Sequence, residues 1–130
     1  MTRTLVVDIP RDYWLSANRT VVNHGYRRRL IDAIHDITIT AARAQKLEAL
    51  DGRFTVAWEI QYPKGVRTDK GDPTNANPTC KAILDALVPR WLPDDGPRYV
   101  VEERYRRGPN LDQPGGHRVT LRLIGQEVPF

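Results

Sequence analysis

Apolar positions along the chain switch between two periods, and the switches predict six elements. Leu5, Val7 and Ile9 alternate with polar neighbours over residues 4 to 9, the period of a strand with one buried face, and Pro10 stops it. Residues 11 to 25 show no period and read as an ordered loop closed by Gly25. From about 26 to 48, Leu30, Ile34, Ile37, Ala41 and Ala44 recur at helical spacing. The β-branched run Ile37-Thr38-Ile39-Thr40 is the one place where that helix is open to interruption.

Asp51-Gly52 signals a turn, after which Phe54, Val56, Trp58, Ile60 and Tyr62 alternate with more polar residues, predicting a strand over 53 to 62. A polar loop from Lys64 to Asn77 follows, and Asn77-Pro78 reads as an N-cap and first helical position for a helix over 78 to 90. Lys81 and Asp85, four apart, share the face opposite Ile83, Ala86 and Leu87. Strands are predicted over 98 to 106 and 117 to 124, joined through a Gly/Pro-rich tip as an antiparallel hairpin. The order β-α-β-α-β-β predicts an α+β fold: a four-stranded, largely antiparallel sheet with two helices on one face. Its other face is free for solvent or for a second copy.

Length and composition narrow the class. A chain of 130 residues with 40 % apolar and 28 % charged residues suits a single domain, 1–130. The absence of a long apolar run and of a secretion signal predicts a cytoplasmic protein without a membrane partner. The lone Cys80 makes neither an internal disulfide nor a thiolate zinc site, and reads as a small buried side chain. His24, His35 and His117 are isolated, without metal-ligand spacing. No phosphate loop of the Walker type and no nucleophile elbow is present.

The net charge of +4 permits a polyanionic partner, and its distribution says more. Arg27-Arg28-Arg29 and Arg104, Arg106, Arg107 are concentrated, yet Asp94, Asp95, Glu102 and Glu103 lie close by in sequence. Bare carboxylates repel phosphates; a metal reconciles them with a nucleic acid. Asp72, Asp95 and the neighbouring Asp94, with Asn75 as a further oxygen donor, are candidate ligands for Mg²⁺, provided that the helix between them packs so that its two ends meet. Lys81 would then neutralise charge developing on phosphoryl oxygens. The plainer reading of the same residues is a pair of turns, a cap and a surface ion pair.

In sequence order, Ser16-Ala17-Asn18-Arg19, then Asp72-Pro-x-Asn75-x-x-Pro78-Thr79-x-Lys81, then Asp85-Ala86-Leu87, Trp91 to Asp95 and the Val100 to Arg106 segment resemble the RusA family of Holliday junction resolvases, in the form carried by phage and prophage genes. The resemblance spans most of the chain. It implies a homodimeric crossover junction endodeoxyribonuclease that resolves four-way DNA junctions by paired nicks, using Mg²⁺ or, as a substitute, Mn²⁺. It assigns catalysis to Asp72, Lys81 and Asp95 and metal binding to Asp72, Asp95 and the neighbouring Asp94; from the residues themselves, Asn75 is a further candidate metal ligand, and Asn18, Arg19, Arg27, Arg28, Arg29, Arg67, Lys70 and Arg106 are candidate DNA contacts. One departure is visible. Many relatives carry a pair of carboxylates four and six residues before the lysine, where this chain has Asn77 and Asn75. The ligand role then falls to Asp72, farther upstream, or to Asp69. The rival readings are a branched-DNA-binding module without catalysis and a phage accessory structural protein.

Overall fold

A computed structural model describes residues 1–18, 23–67 and 69–126. Strand β1 (Thr2–Ile9) is followed by a short 3-10 turn (Arg11–Tyr13), helix α1 (His24–Ala44), strand β2 (Phe54–Gln61), a second 3-10 turn (Pro73–Ala76), helix α2 (Asn77–Ala86), and strands β3 (Val100–Arg107) and β4 (His117–Gly125). All six predicted elements are present in the predicted order. The sheet runs β1-β4-β2-β3; β4 is antiparallel to both of its neighbours and β3 is parallel to β2. Among the described residues no helix is long and apolar enough to cross a membrane.

The expected hairpin between the last two strands does not form, and the reason lies in their residues. Val119, Leu121 and Leu123 of β4 are at most 1 % exposed, so this strand takes an interior position between β1 and β2. The β3 sequence Val-Val-Glu-Glu-Arg-Tyr-Arg-Arg carries charge at most of its positions and suits an edge, where side chains stay in water. The Gly/Pro-rich segment after it is therefore a crossing over the end of β2. Its Gly108 N–H donates to the Ile60 carbonyl (2.9 Å) and its Leu111 N–H to that of Tyr62 (2.8 Å).

The other sheet edge is closed by one side chain. Gln45, at the C-cap of α1, donates from Nε2 to the Val6 carbonyl and accepts the Val6 N–H at Oε1 (2.9 Å), matching the pattern of a neighbouring strand. The helix itself is continuous through the β-branched run. Leu30, Ile34, Thr38 and Ala42 form its buried face at a spacing of four, and the Thr38 hydroxyl, with no water to bond, donates to the Ile34 carbonyl (2.7 Å). It starts at His24 rather than after Gly25, because Asn23 Oδ1 accepts the Tyr26 N–H (2.9 Å) and caps it.

The core lies between the sheet and the helices. Leu5, Val7, Ile9, Phe54, Val56, Trp58, Ile60, Leu121 and Leu123 meet Leu30, Ile34, Cys80, Ile83 and Leu87. Trp58 and Cys80 are buried, as their patterns predict, and burial pushes the Cys80 thiol pKa well up. Helix α2 ends at Ala86, short of residue 90, since Pro89 has no N–H to continue it and restricts Val88; the Val88–Pro89 bond is cis.

Candidate functional site

Three separated segments meet around α2. The stretch from Trp14 to Asn18 is fastened to the start of this helix by Thr79, whose buried hydroxyl accepts the Leu15 N–H (2.9 Å) and donates to the Leu15 carbonyl (2.7 Å). The Ala17 N–H donates to the Asn75 carbonyl (2.8 Å), and the Ser16 hydroxyl to Asn18 Oδ1. Asn18 therefore stands next to the Asp72–Lys81 segment. Arg19 lies outside the described residues.

At the other end of α2, Lys81 reaches the turn after the helix. Its ammonium Nζ is 2.7 Å from Asp95 Oδ2 and 3.0 Å from Asp85 Oδ1. The Asp85 and Asp95 carboxyl groups are neighbours across Lys81, and their acidities shift in opposite directions. Partial burial, and next the neighbouring Asp95 carboxyl, hold Asp85 above the usual carboxylate range. Asp95, receiving hydrogen bonds from Asp85 and from Lys81, is pushed down to about 2. Lys81 is raised, chiefly by its bond to Asp95, and stays protonated. A cation fixed between an ionised carboxylate and a less acidic one can meet negative charge that develops on a bound group.

The remaining predicted ligands are engaged locally. Asp72 Oδ1 accepts both the N–H (2.9 Å) and the hydroxyl (2.7 Å) of Thr74, which lowers its pKa and makes Asp72 the cap of the Pro73–Ala76 turn. Asn77, expected as the helix N-cap, is instead the first residue of α2, because that preceding 3-10 turn runs straight into the helix. Its Nδ2 donates to the Tyr105 hydroxyl (3.1 Å), which with Trp58 Nε1 (2.9 Å) reaches Glu103 Oε1. Asp94 Oδ1 accepts the Asp95 N–H (2.8 Å) and shapes the turn that presents Asp95. Asp69 pairs with Arg67 at 3.0 Å. Lys81 and Asp95 are thus brought together, whereas the side-chain bonds of Asp72 and Asp69 are to residues two positions away; the Asp72 carbonyl also accepts from the Tyr62 hydroxyl (2.9 Å).

Among the described residues no three His, Cys, Asp or Glu side chains gather as metal ligands. Mg²⁺ commonly takes one or two carboxylates and completes its shell with water and phosphate oxygens; the carboxylates beside Lys81 are Asp85 and Asp95.

The predicted DNA contacts are dispersed. Arg28 pairs with Asp32 one turn along α1 (3.2 Å), Arg29 lies over the Tyr26 ring, and Arg27 is half-buried. Lys70 is exposed, and Arg106 reaches Glu59 at 3.3 Å. Two residues have roles that residue type alone does not reveal. Arg107 ties down the loop before α2 by donating from Nε to the Lys70 carbonyl (3.0 Å) and from a terminal nitrogen to Asn110 Oδ1 (2.8 Å), with its guanidinium over the Tyr62 ring. Gly71 allows this approach: its φ is +76°, and a Cβ there would stand 2.8 Å from the Tyr62 ring. Asp85 is the other; its spacing from Lys81 is the signal that the sequence offers.

His117 packs face to face on Trp14, with centroids 3.7 Å apart, and edge-on to Tyr62. This stack occupies one face of the Trp14 ring. A cleft of about 570 Å³ opens beside it, lined by Asp8, Gln61, Asn110, Asp112 and Arg118 among others, and none of the predicted site residues lines it. No protein-family model matches the chain, and no curated protein is significantly similar to it.

Proposed function

We propose that this protein is a structure-specific endonuclease for branched DNA, with Lys81 and Asp95 at the centre of its chemistry. The observation that carries the reading is the 2.7 Å contact between Lys81 on α2 and Asp95 on the following turn, two residues 14 apart that the motif resemblance pairs. The attachment of Leu15 and Ala17 to Thr79 and Asn75 adds support, since it unites a second part of the same motif with the first.

In this reading Lys81 holds a positive charge toward the phosphoryl oxygens of the scissile bond, and Asp85 fixes its direction. Asp95, ionised across the neutral range, supplies an oxygen for Mg²⁺, with Asp94 shaping the turn. When bound, the metal polarises the phosphate and lowers the pKa of an attacking water. The Ser16 to Asn18 loop and Lys70 contact the backbone of the DNA arms. Two active sites, and so a homodimer, are what paired nicking of a junction requires.

A second reading has its own observation. Asp72 is capped onto Thr74 and no three-ligand cluster forms among the described residues, which favours a branched-DNA-binding module without catalysis. One experiment separates the two. Purified protein with a labelled synthetic four-way junction and Mg²⁺ is expected to give paired nicks, and Lys81→Ala to lose them while still binding the junction. Binding without cutting by the wild-type protein in both Mg²⁺ and Mn²⁺, over junctions of several sequences, replaces the enzyme with the binding module.

A further inference from the structure

We propose that the outward face of the sheet carries a second site, a shallow cleft floored by Ala57 and walled by Arg104 and Arg122, that takes a phosphate of a nucleic-acid backbone. The choice of partner rests on the DNA-processing reading above; the geometry and charge of the cleft do not.

Strand register sets the site. Arg104 of β3 and Arg122 of β4 are both direct partners of Ala57 in β2, one on each side. With strands spaced about 4.8 Å, the two arginine backbones stand about 10 Å apart across a residue that has only a methyl group. The gap is a cleft of about 180 Å³, which Glu59, Arg106 and Thr120 also line. A longer side chain at position 57 would fill it.

Among the described residues, two arginines of this face are closely paired. Arg118 is held by Asp8 at 2.7 Å and Arg106 by Glu59 at 3.3 Å. Arg104 has only Glu102, at 3.6 Å, with both side chains more than half exposed, so that pair neutralises little. Arg122 is exposed and has no ion pair among the described residues. Two guanidinium groups, weakly paired or unpaired, facing one cleft match a phosphodiester, which accepts the planar fork of arginine well.

The location puts the cleft on the strand that meets the start of α2. Strand β3 is a sheet edge, and alternate residues face opposite ways: Glu103 and Tyr105 lie on the side of α2, and Arg104 and Arg106 on the outward side. A nucleic-acid strand passing over this edge would run from the cleft toward the start of α2, where Asn77 bonds to Tyr105.

The test is fluorescence anisotropy with an end-labelled DNA duplex and a four-way junction, in EDTA so that no cutting intervenes. Arg104→Gln with Arg122→Gln is expected to raise Kd about tenfold and to lower the slope of log affinity against log salt by about two. Arg118→Gln, on the same face but paired with Asp8, should leave both near wild type. If circular dichroism shows the double variant misfolded, each single variant should lower the slope by about one. Unchanged affinity and slope, or no DNA binding by wild-type protein at low salt, overturns the proposal. So does a double variant that binds DNA normally but changes its sedimentation, because the face is then an interface between copies. Should the wild type bind in this pattern yet never cut, the nuclease reading is lost and the cleft stands.

Discussion

The two ends of α2 carry the same residue in different circumstances. Asp72 before the helix and Asp95 after it are both carboxylates in turns, and both are more acidic than usual. Asp72 owes this to Thr74, two residues away, and is exposed. Asp95 owes it to Asp85 and Lys81, ten and fourteen residues away, and its side chain is 22 % exposed. A carboxylate satisfied by its own turn needs no tertiary structure, so its state says little about function. One held by a lysine across two elements is fixed in place by the fold, and a fixed charge is what a reaction can use.

That contrast predicts a large difference in cutting. Asp95→Asn should lower the cleavage rate of a junction by about 10²- to 10³-fold, the range for removing one preorganised electrostatic group, and Asp72→Asn should stay close to wild type. Single-turnover cleavage measures both. Equal losses would return Asp72 to the site and erase the distinction between the ends.

The attachment of the Trp14–Asn18 segment gives a smaller, structural effect. Thr79→Val keeps the shape but leaves the Leu15 N–H and carbonyl without their partner, a cost of about 1–3 kcal/mol. Urea unfolding reads it directly. A midpoint unchanged from wild type would show that this segment is not anchored through Thr79.

The smallest effect is a pH dependence that separates the His117 stack from the α2 cluster. Burial against Trp14 lowers the His117 pKa to about 4, from 6.5. The neutral ring is therefore the form that the fold favours. Its contribution is complete above pH 6.5 and is lost as pH falls toward 4, because the unfolded chain takes up the proton first. With the ring partly exposed, about 1–2 kcal/mol is expected after allowance for screening. Asp95, depressed to about 2, contributes stability present above its ordinary value of 3.8 and lost only below that. His117→Phe should abolish the loss between pH 6.5 and 4 and leave the lower one. A variant that keeps the mild-acid loss would assign it to another group.

Much of the fold is legible in the order of the residues. The alternation of Phe54, Val56, Trp58 and Ile60, and the helical recurrence of Leu30 and Ile34, locate strands and helices because local periodicity is set by which residues must leave water. The Lys81 and Asp85 pair is visible for the same reason, being one helical turn apart. The turn signals between β3 and β4 mislead, because they act locally, whereas strand order depends on which strand most needs two neighbours. Arg107 is invisible as an anchor, since nothing in Arg104 to Arg107 distinguishes the side chain that folds back onto Lys70 and Asn110 from those that face water.

The order of residues was enough to set the six elements, their succession, the buried faces of both helices and the residue types available for chemistry. Each follows from interactions among residues a few positions apart. Long-range packing alone placed β4 inside the sheet, Ala57 between Arg104 and Arg122, and Lys81 against Asp95. Most of those contacts join residues far apart in the chain, and their formation depends on how the helices and strands pack to cover one shared apolar core.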